Sequence, residues 1–133
     1  MRETLGIKHV ALKVRNFNEC LDFYTNIVGM SIDWKPDEEN AYLSNGKDNL
    51  ALHLDNKLDL KSKNNRLDHF GIMLAEKKNV DEWYEFMLSN KVAIFKDIQN
   101  HRDGSRSFYC YDPDHNVLQF LWHPVLNLSL IHI

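Results

Sequence analysis

His9, His53, His69 and Gln119 are the side chains whose types and spacing could do chemistry together. His9 and His69 each stand third in an apolar, alternating run, Ile7 to Val14 (IKHVALKV) and Leu67 to Leu74 (LDHFGIML). His53 and Gln119 coincide when Ala41 to Leu54 (AYLSNGKDNLALHL) is laid over Ser107 to Phe120 (SFYCYDPDHNVLQF). Imidazole suits zinc, iron, nickel and similar ions, and an amide oxygen is a permissible weaker ligand. A divalent transition metal (zinc, iron, manganese or nickel) held by His9, His53 and His69, with Gln119 as fourth ligand or substrate contact, is therefore chemically reasonable. A lone strand histidine is more often an ordinary hydrogen-bonded side chain. The coincidence of matched positions moves the balance toward metal, and the other reading is a metal-free binding pocket.

The elements that must position these residues come in two copies, which repeat-hunting finds before any other reading. Each copy is strand, helix and three strands. In the first, Ile7 to Val14 alternates with period two, so that Val10, Leu12 and Val14 share one face and His9 the other. Phe17, Cys20, Leu21, Tyr24 and Val28 follow helical spacing, and Gly29 is placed to end the helix in a left-handed conformation. Both helices open on Asn-x-x-Glu, Asn16/Glu19 and Asn79/Glu82, a pattern like a capping box. Met30 to Trp34, Ala41 to Ser44 and Asn49 to Leu54 read as strands, the last two joined at Ser44-Asn45-Gly46. In the second copy Val80, Trp83, Tyr84, Met87 and Leu88 make the helical stripe. Val92 to Phe95, Ser107 to Tyr111 and Val117 to Trp122 read as strands, and Asp97 to Arg106 as a long polar loop.

The expected organisation is one α+β domain over residues 1–124, with module one at about 5–55, a polar linker at about 56–66 and module two at about 67–124. Residues 125–133 form a tail; its closing run, LNLSLIHI, has no counterpart in the first copy, resembles translated adapter sequence and is set aside from the functional reasoning. The faces carrying the four residues would meet if the two curved sheets were related by a pseudo-twofold. With 133 residues, 44% apolar and 26% charged, the composition is that of a soluble globular domain. A net charge of −3 gives no case for nucleic acid. There is no signal-peptide pattern and no apolar run long enough for a membrane span, so a cytoplasmic location is expected. Cys20 and Cys110 lie in apolar stretches without CxxC spacing and read as buried thiols.

IKHVALKV, the helix ending in FYTNIVGM, LDHFGIML and DPDHNVLQFLWHP together resemble the vicinal oxygen chelate superfamily. That superfamily includes glyoxalase I, extradiol dioxygenases, fosfomycin resistance proteins, methylmalonyl-CoA epimerase and bleomycin resistance proteins. The resemblance covers about residues 5–124 and implies paired βαβββ modules forming a partly closed, cavity-enclosing β-barrel, commonly a homodimer. It also implies a divalent metal at His9, His53, His69 and Gln119. The substrate implied is a small oxygenated molecule chelated through adjacent oxygens, with Lewis-acid chemistry of the glyoxalase or dioxygenase kind. The alternative within the same family is metal-free sequestration of the bleomycin-resistance kind.

Two positions depart from the family pattern. Gln119 stands where metal-dependent relatives usually have Glu, and an amide cannot be a general base. His53, if it leaves the metal, and His101 are the substitute catalytic bases. His115 replaces the glycine of a DPDGN turn, where a positive φ would strain it. Tyr109, His101, Arg102 and Arg106 are the candidate substrate contacts. Trp34, Trp83 and Trp122 are expected in the core or a dimer contact, and Asp68 on the face away from His69.

Overall fold

The computed structural model describes residues 2–62 and 66–125, so the expectations for the closing LNLSLIHI run lie outside the described residues. The chain divides into two compact units, Met1–Ser62 and Lys63–Ile133. Each is the expected strand, helix and three strands, and each sheet is open, with four strands in linear order among the described residues.

In the first unit β1 (His9–Val14) lies parallel to β4 (Asn49–Leu54), which pairs antiparallel with β3 (Asn40–Ser44), and β3 with β2 (Ser31–Asp37). Pro36 lies inside β2, which an edge strand tolerates because its outer N–H needs no partner. The helix α1 (Phe17–Asp22) continues as a π-helical turn over Phe23–Ile27. In it the Val28 N–H donates to the Phe23 carbonyl at 2.9 Å, and the Thr25 hydroxyl donates back to the Leu21 carbonyl at 2.7 Å. The wider turn carries both Phe23 and Tyr24 into the core with Phe17, Cys20, Leu12 and Val14. Gly29, at φ 92°, ends it as expected. The capping expectation fails at Asn16, whose side chain makes no capping hydrogen bond.

In the second unit β5 (Phe70–Met73) lies parallel to β8 (Val117–Trp122), followed by β7 (Arg106–Tyr111) and β6 (Ile94–Asn100). The helix α2 (Lys78–Ser89) covers one face. Its Trp83 packs 5.2 Å from Phe120 and its Tyr84 5.4 Å edge-on from Phe108, while Phe108 and Phe120 stack across the strands at 5.3 Å. Asn79 falls inside α2 rather than at its cap; its Oδ1 instead accepts from the Glu76 N–H at 2.9 Å. The long loop expected over Asp97 to Arg106 is shorter, because β6 runs on to Asn100. Register shifts between Ile94 and Lys96 and between Lys96 and Gln99 interrupt the alternation that would have revealed it. Cys20 and Cys110 are both buried thiols.

Candidate functional site

Cross-strand register decides which side chains share the sheet face turned away from each helix. In the first unit His9 pairs with Asn49, Ala11 with Ala51 and Lys13 with His53 along β1 and β4. Ala51 then faces Tyr42, and His53 faces Asn40, on β3. The His9 Nδ1 lies 2.7 Å from Asn49 Oδ1, and the His53 Nδ1 2.6 Å from Asn40 Oδ1. Trp34 stacks on Tyr42 at 5.1 Å and Tyr42 meets His53 edge-on at 5.8 Å. Trp34 is 60% exposed, so of the expected core or dimer role the core part does not hold for it, while Trp83 packs against Phe120.

In the second unit Gln119 pairs with Gly71 on one side and Tyr109 on the other. His69 precedes β5 by one residue and meets Tyr109 edge-on at 5.2 Å. Its Nδ1 lies 2.6 Å from Asp68 Oδ2. Asp68 was expected to point away, but alternation applies only inside a strand, and both residues stand before β5 begins. Tyr109, not Phe108, takes the face with Gln119, since Phe108 is buried against α2. Lys96, cross-strand from Tyr109, holds its ammonium 5.3 Å over the Tyr109 ring and 5.4 Å over Phe95. The sequence reading missed Lys96; a lone lysine among apolar strand residues was the available signal.

The register corrects one pairing. His9 and His69 stand two residues before Ala11 and Gly71, whose partners are Ala51 and Gln119, so the counterpart of Gln119 is Ala51 and not His53. From Asn49, the partner of His9, to His53 is four residues, about 13 Å of strand. Two imidazoles on one tetrahedral ion do not bridge that distance. His53 therefore stands apart from His9, beside Asn40 and Tyr42.

The loop candidates divide. Arg106 points to the helix side, where its Nη2 and Nε donate to the Asp81 carboxylate at 2.7 and 3.1 Å and its Nη1 to Asn100 Oδ1 at 3.0 Å. That commitment removes it from the face of Gln119. Arg102 is exposed on the 101–105 loop. His101 turns inward and sits 2.7 Å from the Ser107 hydroxyl, which accepts from Gln119 Nε2 at 3.1 Å. The loop is held by Asp103, whose carboxyl is lowered to about 2 mainly by hydrogen bonds from the side chain and backbone of Ser105, with His123 a smaller influence.

The donor set fits a transition metal in one respect that matters. An amide or carboxylate oxygen can only accept, so each of His9, His53 and His69 must carry its proton on Nδ1. Each ring is thereby left with a lone pair on Nε2, the arrangement that orients metal-bound histidines. Among the described residues, no group of three or more His, Cys, Asp or Glu side chains is gathered to hold a metal ion.

Comparison with known proteins agrees with this fold. The metallothiol transferase FosB of Staphylococcus haemolyticus is 25% identical over 114 residues, covering 86% of this chain and 81% of the relative. FosB of Staphylococcus epidermidis matches to the same extent. Among solved structures, a glyoxalase/bleomycin resistance protein/dioxygenase from Alicyclobacillus acidocaldarius superposes with a TM-score of 0.72 at 25% identity, covering 93% of this chain and 96% of that one. A lactoylglutathione lyase from Agrobacterium tumefaciens gives 0.75 at 19% identity, covering 91% and 96%, a likeness of fold. The family model of the Glyoxalase/Bleomycin resistance protein/Dioxygenase superfamily matches residues 6–120, and the chain belongs to that superfamily.

Proposed function

We propose that the protein is a divalent-metal-dependent enzyme of the glyoxalase type acting on a small oxygenated molecule, with His9, His69 and Gln119 as the metal ligands. The observation that carries this reading is the Nδ1 anchoring of His9 by Asn49 and of His69 by Asp68, which leaves both Nε2 lone pairs to a ligand. Gln119 offers its Oε1. A bound zinc, iron, manganese or nickel ion would supply Lewis-acid polarisation of substrate oxygens. Tyr109 stands beside Gln119 and Lys96 beside Tyr109, and the two are suited to hold an anionic part of the substrate by hydrogen bond and charge. Gln119 cannot abstract a proton, so reactions needing a carboxylate base there are disfavoured. A group transfer in which the co-substrate brings its own nucleophile asks less of it. The likeness to metallothiol transferases supports that class.

The test is metal content after purification without chelator or a histidine-rich tag. About one transition ion per chain is expected, lost in His69→Ala, in keeping with the affinity of imidazole sites for these ions. No metal, and no uptake of added zinc, iron, manganese or nickel, would overturn the reading. One observation favours metal-free sequestration instead: the exposed Trp34 stacked on Tyr42 offers a flat aromatic platform. That reading predicts that ligand quenches Trp34 fluorescence with no metal present. A homodimer and a cytoplasmic location belong to the same proposal. The second is in keeping with the absence, among the described residues, of any helix long and apolar enough to cross a membrane.

A further inference from the structure

Ser107 is a fully buried hydroxyl between two polar side chains, His101 Nε2 at 2.7 Å and Gln119 Nε2 at 3.1 Å. A serine hydroxyl has one proton to give and two lone pairs to receive. The Gln119 amide nitrogen can only donate, so it occupies one lone pair of Ser107. The Ser107 proton then goes to His101 Nε2, which fixes His101 with its own proton on Nδ1. His101 is in turn held by its loop, where its backbone N–H donates to the Ser105 carbonyl at 2.8 Å and the Gly104 N–H donates to the His101 carbonyl at 3.1 Å.

We infer that His101 and Ser107 are positioning residues that select which end of the Gln119 amide faces the metal. With His101 protonated on Nδ1 the chain of donors runs from Gln119 to Ser107 to His101 and pins the NH2 end of the amide, whereas the other tautomer would reverse the chain. The Oε1 end, the only atom of Gln119 that can ligate a cation, is left pointing away from Ser107. Without Ser107 the amide is free to turn over and present two N–H donors, which repel a cation. The same network gives a reason for Gln in place of Glu. A carboxylate at 119 would need the Ser107 proton, and His101 would have to change tautomer to supply another. His101, assigned from sequence to catalysis or to substrate, acts here through Ser107 instead.

This inference rests on the metal reading of Gln119, and two measurements separate their failures. In the metal-free protein, NMR of the Gln119 side-chain amide should show an NH2 proton protected from exchange with solvent, and that protection should be lost in Ser107→Ala. Titration with Co2+, followed by its visible absorption, should give about tenfold weaker binding in Ser107→Ala and in His101→Ala, as loss of a partner behind a metal ligand typically does. Ser107→Thr, which keeps the hydroxyl, should restore it. The Ser107 effect should vanish in a Gln119→Ala background. An unchanged amide spectrum in Ser107→Ala, or equal loss of Co2+ affinity with and without Gln119, overturns the positioning role. A wild-type protein that shows the pinned amide but takes up no Co2+ overturns the metal reading, and the positioning role with it.

Discussion

A double-mutant cycle on Arg106 and Asp81 tests whether Arg106 clamps the helix or serves a ligand. Its guanidinium forms a two-pronged pair with Asp81, in the first turn of α2, and a third bond to Asn100 on the neighbouring strand. The pair clamps the start of the helix to β7. Its effects on the two partners agree: the Asp81 carboxyl is lowered chiefly by the hydrogen bond from Arg106, and Arg106 is raised by the same bond. The side chains are 22% and 52% exposed, so solvent screening keeps the contribution small. Exposed pairs give roughly 0.2–1 kcal/mol, and the two-pronged geometry places this one near the top, about 1 kcal/mol. Arg106→Ala and Asp81→Ala should therefore each lower Tm by about 3–5 °C. The double variant should be little worse than either, a coupling of about 1 kcal/mol by thermal or urea unfolding. The native Asp81 carboxyl titrates below its unfolded value, so the coupling is present above about pH 4 and disappears as pH falls through the depressed native value. Co2+ and ligand binding should be unchanged in both single variants. Coupling near zero, with ligand binding lost in Arg106→Ala and kept in Asp81→Ala, would refute the clamp and return Arg106 to the substrate.

Two further outcomes follow from the same physical reading. The Cys110 thiol is pushed up to about 12 by burial first and by Asp112 second, so iodoacetamide at pH 8 should leave Cys110 unmodified in the native protein and modify it after unfolding. Because the native pKa lies above the unfolded value of 9.0, that group's contribution to stability is intact below pH 9 and is lost as pH rises toward 12, which unfolding midpoints across this range would show. His115 does adopt a positive φ, 65°, at the turn between β7 and β8. His115→Gly should gain about 0.5 kcal/mol, the relief of left-handed strain less the greater backbone entropy of glycine and the lost contact with the Tyr111 ring. A fall in Tm would mean that the ring contact outweighs the strain.

The duplicated plan was legible because alternation and helical spacing are local properties, and both copies display them in β1, α2 and the closing strands. Register was not legible. Laying Ala41 to Leu54 over Ser107 to Phe120 put His53 on Gln119, whereas pairing puts Tyr42 opposite Ala51 and Tyr109 opposite Gln119. Sequence shows the residues of a hairpin turn but not how many of them the turn consumes. A slip of two keeps a side chain on the correct face while moving it a full repeat along the strand, so the alternation looked consistent while the pairing was wrong. His101 and Arg106 were indistinguishable for a related reason. Both stand in HRDGSR, but His101 precedes the turn and folds back on Ser107, while Arg106 is the first residue of β7 and takes the face of Phe108.

The two histidines of the proposed site reach the same state by different devices. His9 is held by its cross-strand neighbour Asn49. In the second unit, one residue before the pairing of Phe70 with Leu118, the corresponding place on β8 is Val117, which has no group to hold a ring. The anchor for His69 comes instead from Asp68, its neighbour in sequence, and it is a carboxylate rather than an amide. A neutral amide oxygen fixes the tautomer; a charged one also makes the opposite nitrogen more basic and draws positive charge toward the ring. His69 stands in the same unit as Gln119. On the proposed reading, Asp68 behind the His69 ring would bring to the site a negative charge that Gln119 lacks, a physical reason why a neutral ligand would be tolerable there.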